Sequence, residues 1–139
     1  MDDLLTFAGE DPLYAILDAC DAPAVPEKVE ELGKERARCL YAGESARDYA
    51  MFAPYLAQCD EELVQWISDN LWHEPWGIFA VSDAEAQKVW THFREFLFVE
   101  DPDGEKLYFR FYDPRVLKTF LFRCNAEELD SFFGVVERL

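Results

Sequence analysis

Leu13-Tyr14-Ala15-Ile16-Leu17 is the run on which the fold turns. It is short and almost wholly apolar. A strand with one wet face alternates apolar and polar residues, so an unbroken run of this length reads as a strand buried on both faces. Such a strand needs other elements above and below it. The chain around Leu13–Leu17 must therefore build layers.

Reading outward toward the C-terminus, Asp18 to Pro26 is a turn-rich connection with two prolines. Val25, Val29 and Leu32 then recur at helical spacing, and Gly33 marks the end. Arg38-Cys39-Leu40-Tyr41 is a second short strand stopped by Gly43, and Ser45 caps a short helix through Met51. Ala53-Pro54-Tyr55-Leu56 is extended. Leu63, Val64, Ile67 and Leu71 predict an amphipathic helix over 60–71, with Asp60, Glu61 and Glu62 where the helix dipole favours them. Trp76-Gly77-Ile78-Phe79-Ala80-Val81 is a third buried strand. Ser82 and Glu85 have the spacing of a capping box for a helix that buries Ala86, Val89, Trp90, Phe93 and Leu97.

The period then changes. Phe96-Leu97-Phe98-Val99 and Lys106-Leu107-Tyr108-Phe109-Arg110-Phe111-Tyr112 flank Pro102-Asp103-Gly104, which predicts a β-hairpin. In its second arm Leu107, Phe109 and Phe111 share one face, and Tyr108, Arg110 and Tyr112 the other. Asp113-Pro114 is a helix start, with Asp as N-cap and Pro at the first helical position. Val116, Leu117, Phe120 and Leu121 form the expected buried stripe. Asn125, with Glu128 three residues on, opens a last helix that turns Leu129, Phe132, Phe133 and Val136 inward. Reading backward from Leu13, residues 1–12 are an acidic lead-in. The expectation is a single α/β domain over 13–139, a mixed β-sheet of about five strands including the C-terminal-half hairpin, flanked by helices.

Composition agrees with one domain of 139 residues. Hydrophobic residues make up 50% and aromatics 16%, too much apolar surface for a disordered chain. No apolar run approaches the ~20 residues of a membrane span. Met1 is followed by Asp2 and Asp3 where a signal peptide has basic residues, so the expected location is cytoplasmic.

The formal net charge is −16, which argues against nucleic acid as a partner. The charge is uneven: residues 1–100 carry −14, whereas Lys106, Arg110, Arg115, Lys118 and Arg123 against Asp113 leave residues 106–123 at +4. Two readings fit, a basic recognition patch on an acidic body or internal neutralisation of that body. Cys20, Cys39, Cys59 and Cys124 stand alone with no C-x-x-C, and His73 and His92 are the only histidines. Reduced, mostly buried thiols are expected, and neither a metal nor a cofactor.

No phosphate loop, dinucleotide fingerprint, zinc-protease helix or nucleophile elbow occurs. His92 reads as structural or surface and His73 as a loop residue. The densest functional candidate is Arg110-Phe111-Tyr112-Asp113-Pro114-Arg115, where a strand gives way to a helix within one residue. Arginine there suits bidentate carboxylate contacts. Alternatively, Arg110 or Arg115 pairs with Asp113 and locks the corner. Trp66, Trp72, Trp76 and Trp90 raise the same choice between partner surface and core, with Trp90 core by its spacing, Trp66 off its helix's stripe, and Trp72 and Trp76 flanking a loop.

The segment Leu107-Tyr108-Phe109-Arg110-Phe111-Tyr112-Asp113-Pro114-Arg115-Val116-Leu117, preceded by Asp103-Gly104, resembles the signature of the type VI secretion effector-adaptor family, long catalogued as a domain of unknown function. Tyr14-Ala15-Ile16-Leu17-Asp18-Ala19, Leu40-Tyr41-Ala42-Gly43, Ala53-Pro54-Tyr55-Leu56, Trp76-Gly77 and Phe132-Phe133-Gly134 resemble its other landmarks, in order, over about residues 13–136. Val135 departs from the proline often found there, and many members continue past the point where Leu139 stands. The resemblance implies a non-enzymatic bacterial chaperone-adaptor that binds a toxic type VI secretion effector and helps load it onto the spike protein VgrG. By motif match it implies Arg110, Tyr112, Asp113 and Arg115 as partner-binding positions. Two other readings compete. An acidic immunity protein would plug a basic toxin, and a small-molecule enzyme would use a carboxylate in an α/β cleft.

Overall fold

The computed structural model describes residues 11–20, 22–41, 53–100, 102–104, 106–137 and 139. The acidic lead-in up to residue 10, the Gly43 stop and the helix expected over Ser45–Met51 lie outside the described residues. Six strands and five helices are described: β1 Leu13–Asp18, α1 Val25–Leu32, β2 Ala37–Cys39, β3 Pro54–Gln58, α2 Glu61–Asn70, β4 Gly77–Val81, α3 Ala86–Arg94, β5 Phe98–Glu100, β6 Lys106–Tyr108, α4 Pro114–Arg123 and α5 Ala126–Phe133. Among the described residues no helix is long and apolar enough to cross a membrane.

The central sheet has four strands in the order β2-β3-β1-β4, and every neighbouring pair is antiparallel. This corrects the expected mixed sheet of about five strands. Helices alternating with strands suggest parallel neighbours, but α1 carries the chain from β1 to β2 leaving room for one strand, and β3 fills that gap running the other way. α2 in turn carries β3 across β1 to β4. The arrangement β1-α1-β2-β3-α2-β4 in this order is the split βαβ, ferredoxin-like topology. β5 and β6 form a separate two-stranded sheet with Val99 opposite Leu107. The hairpin adds no strand to the main sheet, because its flanking residues Leu97 and Phe111 pack onto the sheet's face.

β1 is central and buried along its length, as the apolar run requires. Ile16 lies opposite both Leu56 and Ile78, and Ala15 opposite both Ala57 and Phe79. Alternation then sends two sets of side chains to opposite faces. Ala15 and Leu17 pack with Val25 of α1 and with Leu63, Ile67 and Leu71 around α2. Tyr14 and Ile16 pack with Val89 and Phe93 of α3, Phe111, Leu117 of α4 and Phe132 of α5. The result is three layers with the sheet in the middle. Full burial of each Leu or Ile contributes roughly 1.5–3 kcal/mol, so both faces of β1 stabilise the fold.

Several local expectations hold. Glu61 and Glu62 lie in the first turn of α2, and Asn125 and Glu128 form a reciprocal capping box on α5; Asp60, expected within that first turn, stands just before it as the N-cap and accepts from the Leu63 N–H at 2.8 Å. The Ser82–Glu85 box does not form. The buried Ser82 hydroxyl donates instead to the Val135 carbonyl at 2.5 Å and accepts from the Ala84 N–H at 3.1 Å, which ties β4 to the C-terminal segment. The α4 stripe is narrower than predicted: Leu117 is buried, but Val116 is exposed. Trp90 is only partly buried; its indole donates to the Cys39 carbonyl at 2.9 Å, and Arg38 and Arg94 stack on its ring. The four cysteines are free, but they are not mostly buried: Cys20 is exposed, and the other three are half-buried. Gly77 permits the sheet to close beside β1. A Cβ there would run into the Ile16 carbonyl oxygen, and its φ of 144° is one that L side chains rarely adopt.

Candidate functional site

The Arg110–Arg115 corner is built where the hairpin hands over to α4. The ladder ends at Tyr108, and Phe111, Tyr112 and Asp113 are all buried in succession. The strand expected through Tyr112 therefore ends four residues early, because the chain turns inward over the sheet. Asp113 caps α4, its Oδ1 accepting from the Arg115 N–H at 2.9 Å, and Pro114 takes the first helical position as predicted.

The two arginines take different partners. Arg115 donates from Nε and from a terminal nitrogen to the two oxygens of Asp113, at 3.0 and 2.7 Å, in a planar fork. Arg110 reaches instead to Asp18 at the end of β1, donating to Oδ2 at 2.5 Å. Asp18 is fully buried and also accepts from the Cys20 N–H at 3.0 Å. Arg110 lies over the Tyr112 ring, 5.7 Å from its centroid. So of the four sequence-predicted residues, Arg110 and Tyr112 sit together with Asp18, and Asp113 and Arg115 form a neighbouring fork that also feels the Arg110 charge. Tyr112 and Asp113 are buried, and the Arg115 side chain is largely exposed.

The electrostatics follow from these contacts. The Arg115 hydrogen bond holds the Asp113 carboxyl below the usual carboxylate range, outweighing the opposing effect of burial. Burial pushes the Tyr112 hydroxyl well above the ordinary phenol value, and the neighbouring Tyr41 and Asp18 add to the shift. Tyr112 is therefore a neutral phenol at any physiological pH.

Beside the corner lies an apolar groove of about 460 Å³, lined chiefly by Trp72, Trp76, Ile78, Phe79, Pro114 and Leu117. Glu74 adds a charged group to its wall. Trp76 is buried at its base, whereas Trp72 is 54% exposed at its rim. The sequence singled out both tryptophans but not their meeting with Pro114. Their shared groove brings the α2–β4 loop and the start of α4 to one surface beside the corner. Asp18 was missed as a site residue, although a signal existed: a carboxylate closing a wholly apolar strand must find a partner. Phe122, 92% exposed, was also missed.

The arrangement suits binding. Apolar walls with a few fixed polar groups hold a ligand by shape and desolvation. Among the described residues, no three or more His, Cys, Asp or Glu gather into a cluster able to hold a metal ion. His92 lies within the fold with Nε2 2.5 Å from the Phe132 carbonyl oxygen, and His73 sits exposed in the turn after α2. The family model described as "Domain of unknown function (DUF4123)" matches residues 13–131. No curated protein and no solved structure matches the chain.

Proposed function

The chain belongs to the DUF4123 family, and from that membership and the groove we propose that it is a non-enzymatic adaptor. It binds a type VI secretion effector and helps to load it onto the spike protein VgrG, working in the bacterial cytoplasm without a cofactor. The carrying observation is the groove itself. A tryptophan 54% exposed beside a buried one, walled by the proline of the Arg-Phe-Tyr-Asp-Pro-Arg run, is the kind of surface an extended or helical partner segment fills. On this reading Pro114, Trp72 and Trp76 make the contact. Arg110, Tyr112 and Asp113 hold the surface in shape, and Arg115 stands at its edge.

The test is a pull-down from the native bacterium with the tagged chain, in wild-type and Trp72→Ala forms. Recovery of an effector and VgrG by the wild type, and their loss with the variant, supports the adaptor. Recovery of the same partners by both forms removes the groove from the reading.

A net charge of −16 favours a second reading, an immunity protein that blocks a basic toxin. Cell rescue separates the two. An immunity protein protects a cell that expresses the toxin domain alone, whereas an adaptor needs the effector's recruitment region.

A further inference from the structure

α4 has two opposite faces. One presents Leu117 to the core and, with Pro114, to the groove. On the other, Arg115, Lys118 and Thr119 stand seven, four and three residues before Phe122, so all four share one side of the helix. All four are exposed, Phe122 to 92%, and Arg123 follows at the margin. No acidic residue lies within α4. A phenyl ring almost wholly in water, on the same helix as exposed Lys118 and Arg123, thus stands on a chain whose net charge is −16.

We propose that this outer face of α4 docks an acidic protein segment, with Phe122 as its apolar anchor and Lys118 and Arg123 as its charged rim; Arg115 stands on the same face with its guanidinium held by Asp113. Charge complementarity selects the occupant, because this is the basic stretch of an acidic body. Nucleic acid is disfavoured, since its phosphates extend past two cations onto an anionic surface, whereas a short peptide segment ends within the patch. A symmetric second copy is disfavoured too, because a two-fold axis would set this basic patch against itself. The inference does not depend on what fills the groove.

The test uses a labelled amphipathic helical peptide of Leu and Glu, its Leu and Lys counterpart, and single-stranded DNA, each titrated by fluorescence anisotropy. The Leu/Glu peptide is expected to bind, and Phe122→Ser or Lys118→Glu with Arg123→Glu is expected to weaken it at least about tenfold. Both variants should keep the wild-type thermal midpoint, since the side chains touch solvent. Lys34→Glu, in the turn after α1 on the opposite sheet face, should leave affinity unchanged. The proposal is overturned if the Leu/Glu peptide does not bind, if the Leu/Lys peptide or the DNA binds as tightly, or if Lys34→Glu weakens binding equally. Self-association abolished by Phe122→Ser would overturn it in favour of a second copy.

Discussion

Arg110 donates to the Asp18 carboxylate at 2.5 Å across 92 positions of sequence, joining the end of β1 to the segment between the hairpin and α4. Asp18 is fully buried, whereas the Arg110 side chain is 36% exposed. Removing the cation leaves a buried charge; removing the anion leaves a cation that reaches water. We expect Arg110→Met to cost about 3 kcal/mol and Asp18→Asn less, about 1 to 2 kcal/mol. The double variant should fall short of additivity. Urea unfolding of the four proteins measures this, and an Asp18→Asn cost larger than that of Arg110→Met would show that other contacts of Asp18 dominate.

The Asp113–Arg115 fork makes stability pH-dependent in a defined direction. The Asp113 pKa is lowered from its ordinary 3.8, so the folded state favours the ionised carboxylate. Its contribution is complete above about pH 5 and is lost as the pH falls through 3.8 toward the lower folded value. Asp113→Asn should therefore be less stable than wild type at neutral pH, by about 1 kcal/mol including the weakened cap, and the gap should close on acidification. A gap that stays constant from pH 7 to below pH 3.8 would show that Asp113 acts only as a neutral cap.

Trp72 and Trp76 separate surface from core. Trp72→Ala should change stability by no more than about 0.5 kcal/mol while abolishing effector capture. Trp76→Ala should cost about 3 to 5 kcal/mol, because that ring is buried and packs edge-on against Phe79. Thermal unfolding alongside the pull-down distinguishes the two roles. Equal destabilisation by both would make Trp72 a core residue.

The cysteines differ in reactivity. Burial, with the Asp60 charge beside it, pushes the Cys59 thiol up to about 12, so almost no thiolate forms near neutrality. Cys20 is exposed. Iodoacetamide at pH 8 should label Cys20 first and leave Cys59 unmodified until the protein is unfolded, as read by peptide mass mapping. Early labelling of Cys59 would mean that the β3–α2 junction opens readily.

Gly77 tests the close approach of β4 to β1. Gly77→Ala places a methyl group against the backbone oxygen of Ile16, which no side-chain rotation relieves. A loss of at least about 3 kcal/mol, or failure to fold, is expected. Gly33→Ala controls for the backbone angle alone, because its φ is also positive but nothing lies near its Cβ. It should cost about 1 kcal/mol.

What the sequence determined by itself was local. The almost wholly apolar Leu13–Leu17 run required a two-sided strand. Asp113-Pro114 and Asn125 with Glu128 marked helix starts, because capping is decided by residues a few positions apart. The spacing of Leu63, Val64 and Ile67 placed α2 for the same reason. Only the tertiary structure decided which strands became neighbours, and so made the sheet antiparallel. It also brought Asp18 to Arg110, drew Ser82 away from its expected cap, and brought Trp72, Trp76 and Pro114 to one groove. These are contacts between distant segments, settled by how the layers pack, and no periodicity within a short window records them.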